Sequence, residues 1–258
     1  MNQPPYPSEK PSGPPGPWSG PAPPISPAPL ATTGDDAGSF HGGSYRINHR
    51  DTNSVLSLHL ASGCRIDAKP GAMIAMSPTV SLRGQVKISL KKVVAGGDFS
   101  SSTYTGPGEL LLAPATPGDV APIRLAGEGA WSVGRDAYLA ATEGVMRDYK
   151  RQGLGKALFS GESLFLYRVS GHGVVWVTSF GAIIRKHLAS GEEYIVDNGH
   201  LVAWNAKYAI ERVSSGSLMS AFVSGEGFVC RFTGPGTVLL QTRNLDSFVS
   251  YVRAGMGE

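Results

Sequence analysis

TYTGPGELLL (Thr103–Leu112), RVSGHGVVWV (Arg168–Val177) and RFTGPGTVLL (Arg231–Leu240) are one decapeptide written three times. In each copy a run ending at Tyr104, Val169 or Phe232 meets Gly-Pro-Gly or Gly-His-Gly, and an apolar run then resumes. Short apolar runs bounded by glycine read as β-strands. Glycine supplies positive φ or close backbone approach, and proline fixes φ inside a turn. The pattern therefore predicts three hairpin turns, with Gly106, Gly171 and Gly234 as the residues that need positive φ.

The copies stand 65 and 63 residues apart, and a second block keeps both spacings: GAMIAMSPTV (Gly71–Val80), DAYLAATEGV (Asp136–Val145) and GHLVAWNAKY (Gly199–Tyr208). Each has a small or turn residue, an apolar pair, and then Ala75, Ala140 or Ala203. Two blocks that share one pair of offsets establish an internal triplication. A further turn recurs as Ala95-Gly-Gly, Ser160-Gly-Glu162 and Ser224-Gly-Glu226, with its offset drifting by one residue. Units this small cannot bury a core alone, so three of them stacked around a pseudo-threefold axis are expected to share one.

The expected fold class is all-β: three tandem pseudo-symmetric β-sandwich units, with at most one or two short helices. The domain is expected over 44–254, with approximate repeats 45–118, 119–183 and 184–251. VMRDYKRQGLGKALF (Val145–Phe159) is the best helical candidate, although Gly153 and Gly155 interrupt it.

Upstream the text changes. Twelve of the 19 prolines fall between Pro4 and Pro29, and LATTGDDAGSFHGGS follows. Such composition cannot offset its own ordering entropy, so residues 1–43 are expected to be a disordered Pro/Gly-rich tail. PPGPWSGPAPP has the composition of a polyproline II ligand, but a plain solubilising tail is the simpler reading.

The 258 residues are 41% hydrophobic and 17% charged, which excludes a wholly disordered chain. Cys64 and Cys230 are the only cysteines, which excludes a disulfide scaffold. Apolar stretches such as VVWVTSFGAII (Val174–Ile184) are too short for a membrane-spanning helix and read as buried strands. The N-terminus has neither a signal-peptide core nor an Arg-rich presequence pattern. Net charge is +3, and the basic groupings Lys91-Lys92, Arg147 with Lys150-Arg151, and Arg185-Lys186 are short. They read as a solvated face rather than a nucleic-acid groove.

No constellation of chemistry emerges. His41, His49, His59, His172, His187 and His200 show no metal-ligand spacing, and His172 and His200 read as turn or surface residues. Gly-x-Ser-x-Gly and Gly-x-Gly-x-x-Gly are absent, and Gly153-Leu-Gly155-Lys156 lacks the leading glycine of a phosphate-binding loop. Glu162 and Glu226 recur at equivalent turns, where turn hydrogen bonding is a simpler role than acid–base work. Trp131, Trp176 and Trp204, with Tyr104, Tyr167 and Tyr194, interleave with Arg168, Arg185 and Arg231. That mixture could stack bases, but alternating aromatics on strands more often build a core. No catalytic, cofactor-binding or metal-ligating residue is assigned, and no cofactor is expected.

KPGAMIAM (Lys69–Met76), SGESLFLYRVSGHGVVWVTSFG (Ser160–Gly181), YIVDNGHLVAW (Tyr194–Trp204) and GEGFVCRFTGPGTVLLQTRN (Gly225–Asn244) resemble the altered-inheritance-of-mitochondria protein 24 family. The resemblance covers roughly Tyr45 to Tyr251. It implies a triplicated β fold similar to the tryptophan RNA-binding attenuation protein-like superfamily, and a link to mitochondrial organisation or inheritance. No catalytic or ligand residues come with it, and the superfamily name does not carry RNA binding across.

The resulting expectation is a non-enzymatic β scaffold or binding protein linked to mitochondrial organisation. An RNA-binding module, or an enzyme whose site is assembled between repeats, is the alternative. The expected partners are proteins, including self-association through exposed sheet edges. Nucleic acid is disfavoured, and peripheral membrane contact stays open. Family resemblance implies a mitochondrial location, whereas the N-terminus taken alone points to the cytoplasm.

Overall fold

The computed structural model describes residues 36–86, 100–134, 136–152, 164–212 and 228–257. Among these, the chain is all-β apart from a 3-10 turn at Asn198–His200 and one helix, α1 (Leu245–Gly255). A hairpin, β1 (Ala37–Phe40) and β2 (Gly43–Asn48), comes first. One set of strands follows: β3 (Val55–Leu60), β4 (Arg65–Ala68), β5 (Met73–Met76), β6 (Ser81–Val86), β7 (Ser100–Thr105) and β8 (Gly108–Leu112). A second set has β9 (Val120–Ala126), β10 (Trp131–Gly134), β11 (Tyr138–Thr142), β12 (Val145–Gln152) and the long β13 (Leu164–Thr178). The third set has β14 (Ile183–Leu188), β15 (Glu193–Asp197), β16 (Leu201–Trp204), β17 (Lys207–Arg212), β18 (Phe228–Thr233) and β19 (Gly236–Gln241).

One antiparallel pairing scheme recurs in the three sets. The first and third strands flank the last: β3·β8·β5, β9·β13·β11 and β14·β19·β16. The second and fourth flank the fifth: β4·β7·β6, β10·β13·β12 and β15·β18·β17. In the second set β13 does duty for both the fifth strand and the last.

Two pairings join successive sets. β11 lies on β4, with Ala140 opposite Ala68 and Ala141 opposite Asp67. β16 lies on β10, with Ala203 opposite Val133 and Trp204 opposite Ser132. Moving the first pair on by one repeat produces the second pair. Each set thus contributes one strand triplet to one sheet and its other triplet to the next, and the two middle sheets are composites of neighbouring sets.

Three apolar cores, rather than the single shared core expected, fill the spaces between successive sheets, because each set divides its strands between two sheets. The first holds Leu56, Leu58, Ile66, Tyr104, Leu110 and Trp176, the second Ile123, Val133, Val169, Val175 and Leu239, and the third Trp204, Cys230, Phe232 and Val238. Alternation assigns the cores: on β13, Val174 and Trp176 enter the first, while Val175 and Val177 enter the second. A strand buried on both faces is apolar at successive positions, which is why Val174–Val177 reads as a continuous run.

The predicted hairpins are not hairpins. β7 and β8 pair with different neighbours in different sheets, and so do β18 and β19. The glycine-flanked segment is a corner at which the chain passes from one sheet to the next. β13 rounds the same corner unbroken, pairing with β12 through Gly171 and with β9 from His172 onward. Local sequence marks a bend equally well in both cases. What excludes the hairpin is that both edges of each flanking run are already occupied by other strands.

Positive φ occurs at Gly171 (98°), and also at Gly108 (140°) and Gly173 (137°), but not at Gly106 or Gly234. Those two glycines answer a different need. A Cβ on Gly106 would meet the Ala61 carbonyl oxygen, and on Gly234 the Ala189 carbonyl oxygen.

Two other expectations change. Val145–Gln152 is strand β12 rather than the start of a helix, because eight consecutive residues pair with β13. Tertiary pairing overrides a weak local propensity here, and residues 153–159 lie outside the described residues. Residues 37–43, expected in the tail, instead form β1 and its turn into β2. Phe40 and Tyr45 stand edge-on to Trp176, with ring centroids 5.6 and 5.4 Å away, and this packing orders the hairpin. Residues 1–35 and the recurrent turn at Ala95, Ser160-Gly-Glu162 and Ser224-Gly-Glu226 lie outside the described residues.

Charge pins the junction between the first two sets. Asp119, just before β9, accepts from Arg50 Nη1 (2.9 Å), Ser54 Oγ (2.7 Å) and the Val120 N–H (2.7 Å). Arg50 Nε reaches Asp36 at 2.6 Å. At the other end the Asn244 side chain caps α1 by accepting from the N–H groups of Asp246 (2.9 Å) and Ser247 (3.2 Å).

Candidate functional site

Because the three sets repeat one topology, equivalent segments converge. Gly71, Asp136 and Gly199, one from each set, line a single cavity of about 570 Å³, and so do the equivalent Ala113, Thr178 and Gln241. The second trio runs from methyl to hydroxyl to amide along the chain. Gln241 is committed to the fold: its Oε1 accepts from the Phe180 N–H (2.9 Å) and its Nε2 donates to the Gly199 carbonyl (2.9 Å). Asp197 accepts from the Gly199 N–H (2.7 Å) and fixes the 3-10 turn.

Two polar atoms at this cavity have no such commitment. Thr178 Oγ1 and Asn198 Oδ1 are buried without a hydrogen-bond partner. A buried polar atom without a partner is costly, so these two are the unsatisfied atoms beside the cavity, and a ligand reaches them only if their side chains turn toward it. Their chemistry suits a neutral molecule that presents hydroxyl or amide donors. Lys69 Nζ lies 3.6 Å from Asp136 Oδ1 at the rim and so balances its charge.

A second cleft, of about 290 Å³, is occupied by structural contacts. The Arg147 guanidinium lies over the Tyr138 ring (4.3 Å) and the Tyr167 ring (5.0 Å). The Tyr138 hydroxyl donates to the Asp67 carbonyl at 3.0 Å, and Arg65 pairs with Glu143 at 3.0 Å. These contacts tie β11 and β12 to β4.

The strongly displaced titrations belong to the cores. Burial pushes the Cys230 thiol up to about 12, with Asp197 adding to it, and the Tyr208 phenol up to about 12. Burial also raises Cys64, Tyr104 and Tyr138. A thiol raised this far is a poor nucleophile at neutral pH. Because the folded thiol and phenol titrate later than their unfolded forms, alkali favours unfolding. The contribution of these two groups to stability is complete below about pH 9 and is lost between pH 9 and pH 12. Melting temperatures across that range check this, and Cys230→Ala is expected to flatten the decline.

The residues singled out in the sequence are not brought together. His187 Nδ1 is 3.0 Å from Thr237 Oγ1 and His200 Nδ1 is 2.8 Å from the Gln241 carbonyl, on different elements. Among the described residues no group of three His, Cys, Asp or Glu side chains could hold a metal. Trp176, Trp204 and Tyr104 are core residues with no face to offer a base. Arg231 is held by Glu211 (2.8 Å) and Glu193 (3.2 Å). Glu162 and Glu226 lie outside the described residues. Thr178 and Asn198 were invisible to sequence reasoning, because a missing hydrogen-bond partner leaves no trace in a pattern of residue types.

The sequence pattern of the family described as mitochondrial biogenesis AIM24 matches residues 45–243. An uncharacterized protein of Streptococcus pyogenes serotype M6 is 27% identical over 213 residues, which span 77% of this chain and 85% of that protein. The crystal structure of a Streptococcus pyogenes protein superposes with a TM-score of 0.66 at 25% identity, covering 81% of this chain and 98% of the other. Among the described residues no helix is long and apolar enough to cross a membrane.

Proposed function

The chain belongs to the mitochondrial biogenesis AIM24 family, and from that premise we propose that it is a non-enzymatic β scaffold or binding protein serving mitochondrial organisation. The supporting observation is a strand-pairing scheme repeated in all three sets, in which charged side chains latch strands and junctions together. On this reading the three sets are tandem units of the tryptophan RNA-binding attenuation protein-like kind, fused through composite sheets. Protein partners bind its surface, and its location is mitochondrial.

Fractionation of cells carrying the full-length, C-terminally tagged chain, followed by protease protection, tests the proposal. Protection inside mitochondria is the expected result. A cytosolic chain overturns the mitochondrial part of the reading.

The unpartnered Thr178 and Asn198 favour one second reading, an enzyme whose site is assembled between repeats. Turnover of a metabolite by the purified chain, lost in Thr178→Val, would replace the scaffold with that reading.

A further inference from the structure

The repeated pairing scheme leaves two strands incomplete. β11 and β16, the third strands of the later sets, are paired along both edges, as are β4 and β10, the second strands of the earlier sets. Among the described residues, their counterparts at the two ends are paired along one edge only. β5 ends the first sheet, beyond β8, and β15 ends the last sheet, beyond β18. The β1–β2 hairpin extends the first sheet at its opposite side, on β3, and leaves the β5 edge open.

Burial follows the same division. Leu139 and Val202 are 1% and 0% exposed, but Ile74, which holds the same place in the first set, is 53% exposed. Ala141 and Trp204 are buried, whereas the equivalent Met76 is exposed, and all four residues of β5 lie at the surface. On the other strand Tyr194 is exposed, while the equivalent Ile66 is fully buried. The apolar pattern of a covered strand is kept in full at a place where the described residues offer no cover. An open, apolar strand edge with free N–H and carbonyl groups is a template for another strand.

We propose that the chain assembles head to tail with further copies of itself, β5 of one copy pairing antiparallel with β15 of the next. The triplets β3·β8·β5 and β15·β18·β17 are halves of the composite sheets in the middle, so the join unites them in a six-strand arrangement of the same scheme as the two inside the chain, with the β1–β2 hairpin extending it beyond β3. The two half-sheets sit at opposite ends of the stack, with three cores between them, so the strands that meet come from two chains. The register follows from the internal joins. Ala140 opposite Ala68 and Ala203 opposite Val133 make Ala75 opposite Val196 the next member of the series, with Met76 opposite Ile195. Ile74 then enters the neighbour's third core, as Leu139 enters the first core and Val202 the second. Because the two surfaces differ, the contact is heterologous, and repetition yields a closed ring or an open filament.

This proposal does not depend on the scaffold reading and would stand for an enzyme as well. Its test uses the full chain in solution. Light scattering after size exclusion should give a mass above that of one chain, falling on dilution. Ile74→Lys should raise the dissociation constant about 30-fold or more, with the melting temperature of the dilute chain unchanged, since Ile74 is already exposed. Ala75→Cys mixed with Val196→Cys should yield an oxidised heterodimer, because directly opposed strand positions fall within disulfide reach. Either variant alone, and the parent chain, should not. A monomer at all concentrations, an assembly indifferent to Ile74→Lys, or cross-linking of Ala75→Cys to itself would overturn it.

Discussion

Trp176→Ala is expected to cost about 3–5 kcal/mol, a large part of the stability of an ordinary domain. The indole is fully buried in the first core, and it is the surface on which Phe40 and Tyr45 of the β1–β2 hairpin rest. Alanine leaves a cavity and removes the floor of the hairpin together. Trp176→Phe should cost much less. It keeps most of the ring volume and removes an indole N–H that is buried without an acceptor. Chemical denaturation of the three proteins, read by circular dichroism, separates the outcomes. Equal losses for alanine and phenylalanine would show that the indole nitrogen is held by a group the structure does not pair with it.

The corner glycines carry the second large effect. Gly234→Ala is expected to destabilise by about 2–3 kcal/mol through overpacking. The new methyl would run into the Ala189 carbonyl and stand 2.9 Å from Leu188 Cβ, and backbone cannot give way as a side-chain tip does. Gly106→Ala repeats the collision with Ala61 and with Leu60 Cβ at 2.7 Å. Gly171→Ala adds positive φ to a collision with the Gly144 carbonyl. At Gly129, by contrast, an added Cβ meets nothing within 4 Å. Positive φ without crowding makes Gly129→Ala a control for backbone strain alone, at about 1 kcal/mol. Thermal melts of the four variants should therefore rank Gly129→Ala as the mildest. Parent-like stability for Gly234→Ala would mean that the corner opens without penalty.

What the residues by themselves determined was the threefold periodicity, the all-β character and the positions of the corners. A repeat is a relation between letters, and strands announce themselves through short β-branched runs punctuated by glycine. Tertiary structure alone decided where each run goes after its corner. A bend at Gly106 or Gly234 has the same local chemistry whether the chain doubles back or crosses to a second sheet, and the neighbouring strands settle it. Val145–Gln152 shows the same priority of pairing over propensity. Tertiary structure also decided which apolar residues are covered. Met73–Met76 reads in sequence like Tyr138–Ala141 and Leu201–Trp204, yet burial depends on whether a partner strand stands alongside in space. For β5 no such partner strand stands alongside among the described residues.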